Sequence, residues 1–206
     1  GDNKTITQLD LVIKEIQKGK GTNAMAIETA GRLGTATSVD ALIAALSTDY
    51  KAEATAALLA FNGNINERVT TALKTATGDL QLALLDIANT RRIKSASPQV
   101  FELINSSDAT VAAAALKALP GVVTKENATQ LAGMMDKASG EKAAIYQQAF
   151  TASIKGMNAE EQYKVISSEI QKASNKARFY PALAATNTDQ SVADLQAAWQ
   201  GGSTEA

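Results

Sequence analysis

Apolar residues recur along the chain in pairs four positions apart, and the pairs return about every 30 residues. Leu42 and Leu46 form one pair in SVDALIAAL; Val69 with Leu73, Val100 with Ile104, and Leu131 with Met135 follow at steps of 27, 31 and 31 residues. Looser members extend the series, Leu9 with Ile13 before it and Ile166 with Ile170 and Leu195 with Trp199 after it, at steps of 33, 35 and 29. A spacing of four places both members on one helical face, and neighbours such as Val12 and Ile16 widen that face into a stripe. No sustained apolar–polar alternation predicts a strand.

A second series lies between these helices. Asp49, Asp79, Asp108 and Glu141, at steps of 30, 29 and 33, each precede an alanine- or leucine-rich run. An acidic residue at a helix start accepts from free N–H groups and suits the positive end of the dipole. A small or apolar residue follows three positions later, at Ala52, Leu82, Val111 and Ala144. The pattern predicts two helices per repeat and about thirteen in all, the last near 188–200 without a partner. Gly19 and Gly21, Gly34, and Asn62-Gly63-Asn64 mark helix ends. Pro98 suits a first turn, Pro120-Gly121 is expected to stop its helix, and Pro181 is expected to kink or break one.

DATVAAAALKALPG, residues 108–121, carries almost no functional groups. Alanine combines the best helix propensity with the least bulk, so the run is expected to let adjacent helices approach while the larger residues of the first series fill the core.

SASPQVFELINSSDATVAAAALKALPG, 95–121, shows an early proline, an apolar first helix, a short polar turn, an Asp opening a second helix, then valine, alanines and leucine. DALIAALSTDYKAEATAALLAF, 40–61, repeats that order. These stretches resemble HEAT-like repeats of the armadillo type. The resemblance implies an all-α fold, a right-handed α-α superhelix (solenoid) of about six stacked antiparallel helix pairs. It would form one domain over residues 1–200, with 201–206 a polar tail or the start of a linker. The family often has an arginine after the valine of the second helix. Ala112 and Glu53 stand there instead, so an Asp–Arg ladder between repeats is not expected and the member is divergent.

Composition narrows the chemistry. With 45% hydrophobic and 20% charged residues the chain can build a core. It has no histidine and no cysteine, which removes Ser-His-Asp and Cys-His nucleophiles, thiol redox chemistry, disulfides, and zinc sites built on imidazole or thiolate. Twenty basic against 21 acidic residues, with no basic run longer than Arg91-Arg92, leave no footprint for a phosphate backbone. Nucleic acid is not an expected partner. No apolar run approaches a membrane span. Gly1 in place of Met suggests a processed chain or one expressed without its leader, and a periplasmic or extracellular compartment is favoured over the cytoplasm.

Individual candidates read mostly as structure. Glu160 and Glu161 point about 100° apart on a helix and follow Asn158, so they read as first-turn charges behind a cap. Asp79 and Asp108 read as helix starts rather than metal ligands. GKGT, 19–22, lacks the earlier glycine of a phosphate loop and reads as a turn. Trp199, at helical spacing with Val192 and Leu195, reads as core or as a cap over the last repeat. Neither a catalytic site, a metal nor a cofactor is expected. A solenoid offers its concave side, lined by second helices; the candidate binding surface there comprises Tyr50, Lys51, Glu53, Gln81, Thr110 and Lys117, with Arg91 and Arg92 in an adjoining link. The expected function is a non-catalytic scaffold binding a protein, a peptide or a neighbouring domain of the same chain. The alternative is an accessory helical domain of a larger exported bacterial protein whose sugar-hydrolase-like catalytic domain lies elsewhere.

Overall fold

The computed structural model describes residues 24–202. The first apolar pair, Leu9 with Ile13, and the GKGT turn lie outside the described residues. Twelve α-helices and no strand occur among the described residues, which makes the chain all-helical. In order they are α1 (Ala24–Leu33), α2 (Ala36–Ala45), α3 (Lys51–Ala60), α4 (Asn66–Leu73), α5 (Gly78–Thr90), α6 (Ser97–Leu103) and α7 (Ala109–Val122), then α8 (Ala128–Lys137), α9 (Gly140–Ile154), α10 (Ala159–Lys172), α11 (Tyr180–Thr186) and α12 (Asp189–Gly202). Three short 3₁₀ turns, each beginning at a lysine, precede α6, α8 and α11: Lys94–Ala96, Lys125–Asn127 and Lys176–Phe179. The chain divides into two compact units, Gly1–Val122 and Val123–Ala206.

In the first unit, the principal helix contacts run to a chain neighbour or to the helix two places along. α1 packs on α2 and α3, α2 on α3 and α4, α3 on α5, and α5 on α4 and α7. The apolar pairs supply the interior: Leu42, Leu46, Val69, Leu73 and Val100 are buried, and only Ile104 is half-exposed. α7 is the alanine run, and it turns Val111, Ala115, Ala118, Leu119, Gly121 and Val122 inward. The helix does not stop at Pro120. Pro120 lies inside its last turn, where the missing N–H forfeits a single helical bond. Gly121 is there for contact: a Cβ on it would lie 2.5 Å from the Asn89 carbonyl oxygen and 2.7 Å from Asn89 Cα. The backbones of α5 and α7 meet at this point, and only glycine fits.

In the second unit α8 packs on α9, and α11 on both α10 and α12. Leu131, Met135 and Ile166 are buried. Phe150 of α9 and Phe179 of the turn before α11 are both buried and meet edge to face, their centroids 5.7 Å apart. Pro181 occupies the first turn of α11, so the expected break is a 3₁₀-to-α junction. Pro98 takes the expected first-turn position in α6. The expectation that Trp199 belongs to the core, or caps it, is corrected: it stands 82% exposed, and Val192 on the same apolar line is 47% exposed, so α12 turns that line to solvent.

Helix starts follow several local solutions. Asp108 caps α7 as expected, its Oδ1 accepting from the N–H groups of Thr110 (2.8 Å) and Val111 (3.3 Å). Asn158 and Glu161 exchange side-chain-to-backbone bonds of 2.9 and 3.0 Å at the start of α10. Asp79 and Glu141 stand in first turns rather than at caps. They share a turn: Thr77 and Ser139 are extended, then Gly78 (φ +57°) and Gly140 (φ +58°) take the left-handed conformation that glycine alone adopts without cost. Asp49 caps nothing, because the chain turns through Thr48, whose hydroxyl donates to the Ala45 carbonyl and accepts from the Tyr50 N–H.

Gly121→Ala is expected to destabilise the protein by about 1–3 kcal/mol through overpacking against Asn89. Gly133→Ala, on the exposed side of α8 with nothing near its Cβ position, is expected to stabilise by up to about 1 kcal/mol. Urea denaturation of the two variants checks both signs.

Candidate functional site

An open groove of about 570 Å³ lies in the first unit on α1 and α3. Its floor is Gly31, Ala56, Ala57 and Ala60, and its rim is Glu28, Arg32, Glu53 and Asn62. The floor is flat because the helices lie close: a Cβ on Gly31 would be 3.1 Å from Ala57 Cβ. On the rim Arg32 donates to Glu28 one turn earlier, while Glu53 stands exposed. The lining is mostly apolar and contains no hydroxyl. It therefore offers a contact surface and no nucleophile beside a base.

A second cleft of about 570 Å³ lies within the second unit, against Lys125, Ser153, Met157, Lys164 and Val165. Its one hydroxyl, on the buried Ser153, donates to the Phe150 carbonyl (2.7 Å). Glu161 at its edge is held by the Asn158 N–H. No group of three or more Asp or Glu residues able to hold a metal occurs among the described residues.

The eight residues expected on a binding surface are spread along the first unit, and of them only Glu53 lines the groove. Tyr50 and Lys51 are half-buried at the start of α3, and Gln81 is half-buried near the start of α5. Thr110 and Lys117 are exposed on α7. Arg91 is engaged in structure: its guanidinium donates to the carbonyls of Leu59 and Phe61 (both 3.1 Å) and Gly63 (2.9 Å), closing the end of α3. Arg92 is exposed and bends the chain through the left-handed region (φ +54°). The groove's own residues, Gly31, Ala56, Ala57 and Ala60, gave no chemical signal in the sequence beyond being small.

Several charged groups hold structure. The Asp136 carboxylate accepts from the backbone N–H groups of Asn175 (2.7 Å) and Ser174 (3.1 Å), and these bonds hold its pKa below the usual carboxylate range. Arg178 donates to the Met135 carbonyl alongside, so the end of α8 is fixed to the turn before α11 from both directions. Lys94 donates to the Gly121 carbonyl (2.9 Å); desolvation, helped by the Arg92 charge, lowers its pKa. Glu169 is buried and accepts from Thr129 (2.9 Å) and Lys172 (3.0 Å), tying α10 to α8.

Among the described residues no helix is long and apolar enough to cross a membrane. Neither family models nor curated proteins match the sequence.

Arg91→Ala is expected to cost about 1–3 kcal/mol, because the carbonyls it serves lose a charged donor. Lys117→Ala, on an exposed position, should stay within about 0.5 kcal/mol; parallel thermal melts compare the two. Asp136 contributes stability above the carboxylate range, and that contribution is lost as pH falls through its lowered folded-state value. Asp136→Ala should therefore melt earlier at neutral pH and lose less stability than the parent on acidification below about pH 4, as read by melts across pH.

Proposed function

We propose that the chain is a non-catalytic binding module whose helix pairs stack as HEAT-like repeats, a right-handed solenoid of about six antiparallel pairs. Its ligand is a protein or peptide segment laid on the face made by the second helices, the concave side of such a solenoid. The observation that carries the reading is the groove on α1 and α3, where an alanine and glycine floor is exposed beside the Glu53 carboxylate. The successive contacts α1 to α3, α3 to α5 and α5 to α7 support it as well, since they are the contacts that stacked repeats make. An apolar floor with a charged rim favours a segment that buries small apolar side chains and presents a cation at the edge.

A photo-reactive residue at position 53 of the full chain, used in its native host, identifies what lies on the groove. Ala56→Arg, an exposed change that fills the floor, is expected to weaken that partner's binding by at least about tenfold with an unchanged melt. Full binding by Ala56→Arg overturns the assignment of the groove, and turnover of peptide or glycan by the purified chain overturns the non-catalytic reading.

A further inference from the structure

The loop between α3 and α4 carries the chain's single Asn-Gly step, Asn62-Gly63. Every other asparagine is followed by a residue that has a side chain. Asn64, Asn105, Asn127 and Asn158 also commit their side-chain amides to backbone groups. Asn62 does not: it and Gly63 are both exposed, and its side-chain amide makes no hydrogen bond. An unbonded carboxamide beside a backbone nitrogen that no Cβ shields is a self-contained pair of electrophile and nucleophile.

The reaction open to that pair needs only water. The Gly63 backbone nitrogen attacks Asn62 Cγ; the N–Cγ bond forms, the Cγ–Nδ2 bond breaks, and ammonia leaves with the proton that Gly63 gives up. Water then opens the cyclic imide. Opening at Cγ yields aspartate. Opening at the main-chain carbonyl of residue 62 yields isoaspartate, in which the chain runs through the β-carbon. A side chain on the following residue crowds the ring closure, and glycine removes that obstacle.

The fold restrains the step. The Gly63 N–H donates to the Phe61 carbonyl (3.1 Å). The Arg91 guanidinium binds the carbonyls of Phe61 (3.1 Å) and Gly63 (2.9 Å), one on either side of Asn62. Ring closure has to break the first of these bonds and turn the peptide that Arg91 holds. Local opening of the loop releases it.

We propose that Asn62 is a site of spontaneous modification, converted by its own chain and water to aspartate and isoaspartate through Gly63, and slowed by the Arg91 clamp. Asn62 shares the rim of the groove on α1 and α3 with Glu53, so each conversion adds a negative charge there. If the groove takes a cationic segment, a consequence that rests on the proposed function, the converted chain holds it more tightly. The modification itself needs no partner and is read without one.

The test is intact mass, peptide mapping and isoaspartate detection on the purified full chain, held at mildly alkaline pH and sampled over time. The expected result is replacement of one amide by an acid, confined to the peptide that contains residue 62 and faster as pH rises. Two variants are expected to lose this signal with unchanged helical content: Asn62→Gln, an exposed change that closes its ring more slowly, and Gly63→Ala, whose Cβ meets Phe61 Cε1 at 3.1 Å. Arg91→Ala is expected to gain the signal sooner than the parent while still folded. A residue 62 that keeps its amide in the folded chain, while the urea-unfolded chain converts, overturns the proposal. Conversion at the parent's rate in Gly63→Ala overturns the route through Gly63, and an unchanged rate in Arg91→Ala overturns the clamp.

Discussion

The distance of closest approach between helix backbones governs most of what this chain does. Gly121 of α7 leaves no room for a Cβ against Asn89 of α5, and a Cβ on Gly31 of α1 would press on Ala57 of α3. Once small residues set that spacing, larger residues of both series fill the volume left between the helices: Leu42, Leu46, Val69 and Leu73 of the first, Leu58, Leu84 and Leu85 of the second. The same small residues, where they face outward, leave the smooth floor on α1 and α3 that no bulky side chain interrupts. Close packing inside and a shallow groove outside are two results of one choice of residue size.

Close packing alone would let helices slide, and a second class of interaction prevents it. Helix ends are tied by groups that arrive from elsewhere in the same unit. Arg91 holds the carbonyls that follow α3, Lys94 the Gly121 carbonyl, and Arg178 the Met135 carbonyl, while the Asp136 carboxylate takes two N–H groups in return. Free carbonyls at helix C-termini carry partial negative charge, so cations satisfy both their hydrogen-bonding and their electrostatic needs. Glu53 and Lys117, by contrast, stand exposed on α3 and α7.

The helices were legible because their apolar pairs obey a local period, and a period is a property of sequence alone. Asp108 and Asn158 were legible as caps because capping is decided within four residues. Misreadings arose wherever a distant backbone decided the outcome. Pro120-Gly121 has the letters of a stop, yet Gly121 answers to Asn89, 32 positions earlier. Arg91 reads as part of a binding surface in a link, and its partners are carbonyls about 30 residues back. Trp199 kept helical spacing with Val192 and Leu195, but a stripe records that a face is apolar without saying what lies opposite. The groove was invisible for the same reason: alanine reads as filler, and whether it lines a contact or an opening depends on the neighbouring helix.

In the first unit the principal contacts run only to the next helix and the one after it. Few partners therefore lie far apart along the chain, and loop closure costs little entropy at each step. The segment α1 to α3 already closes contacts among all three of its helices. On the ribosome such a chain need not wait for its distant end: α1, α2 and α3 have one another once residue 60 has emerged, and each later helix docks on a surface already formed. Unfolding can follow the reverse course, fraying from the outermost helices while the interior pairs remain closed.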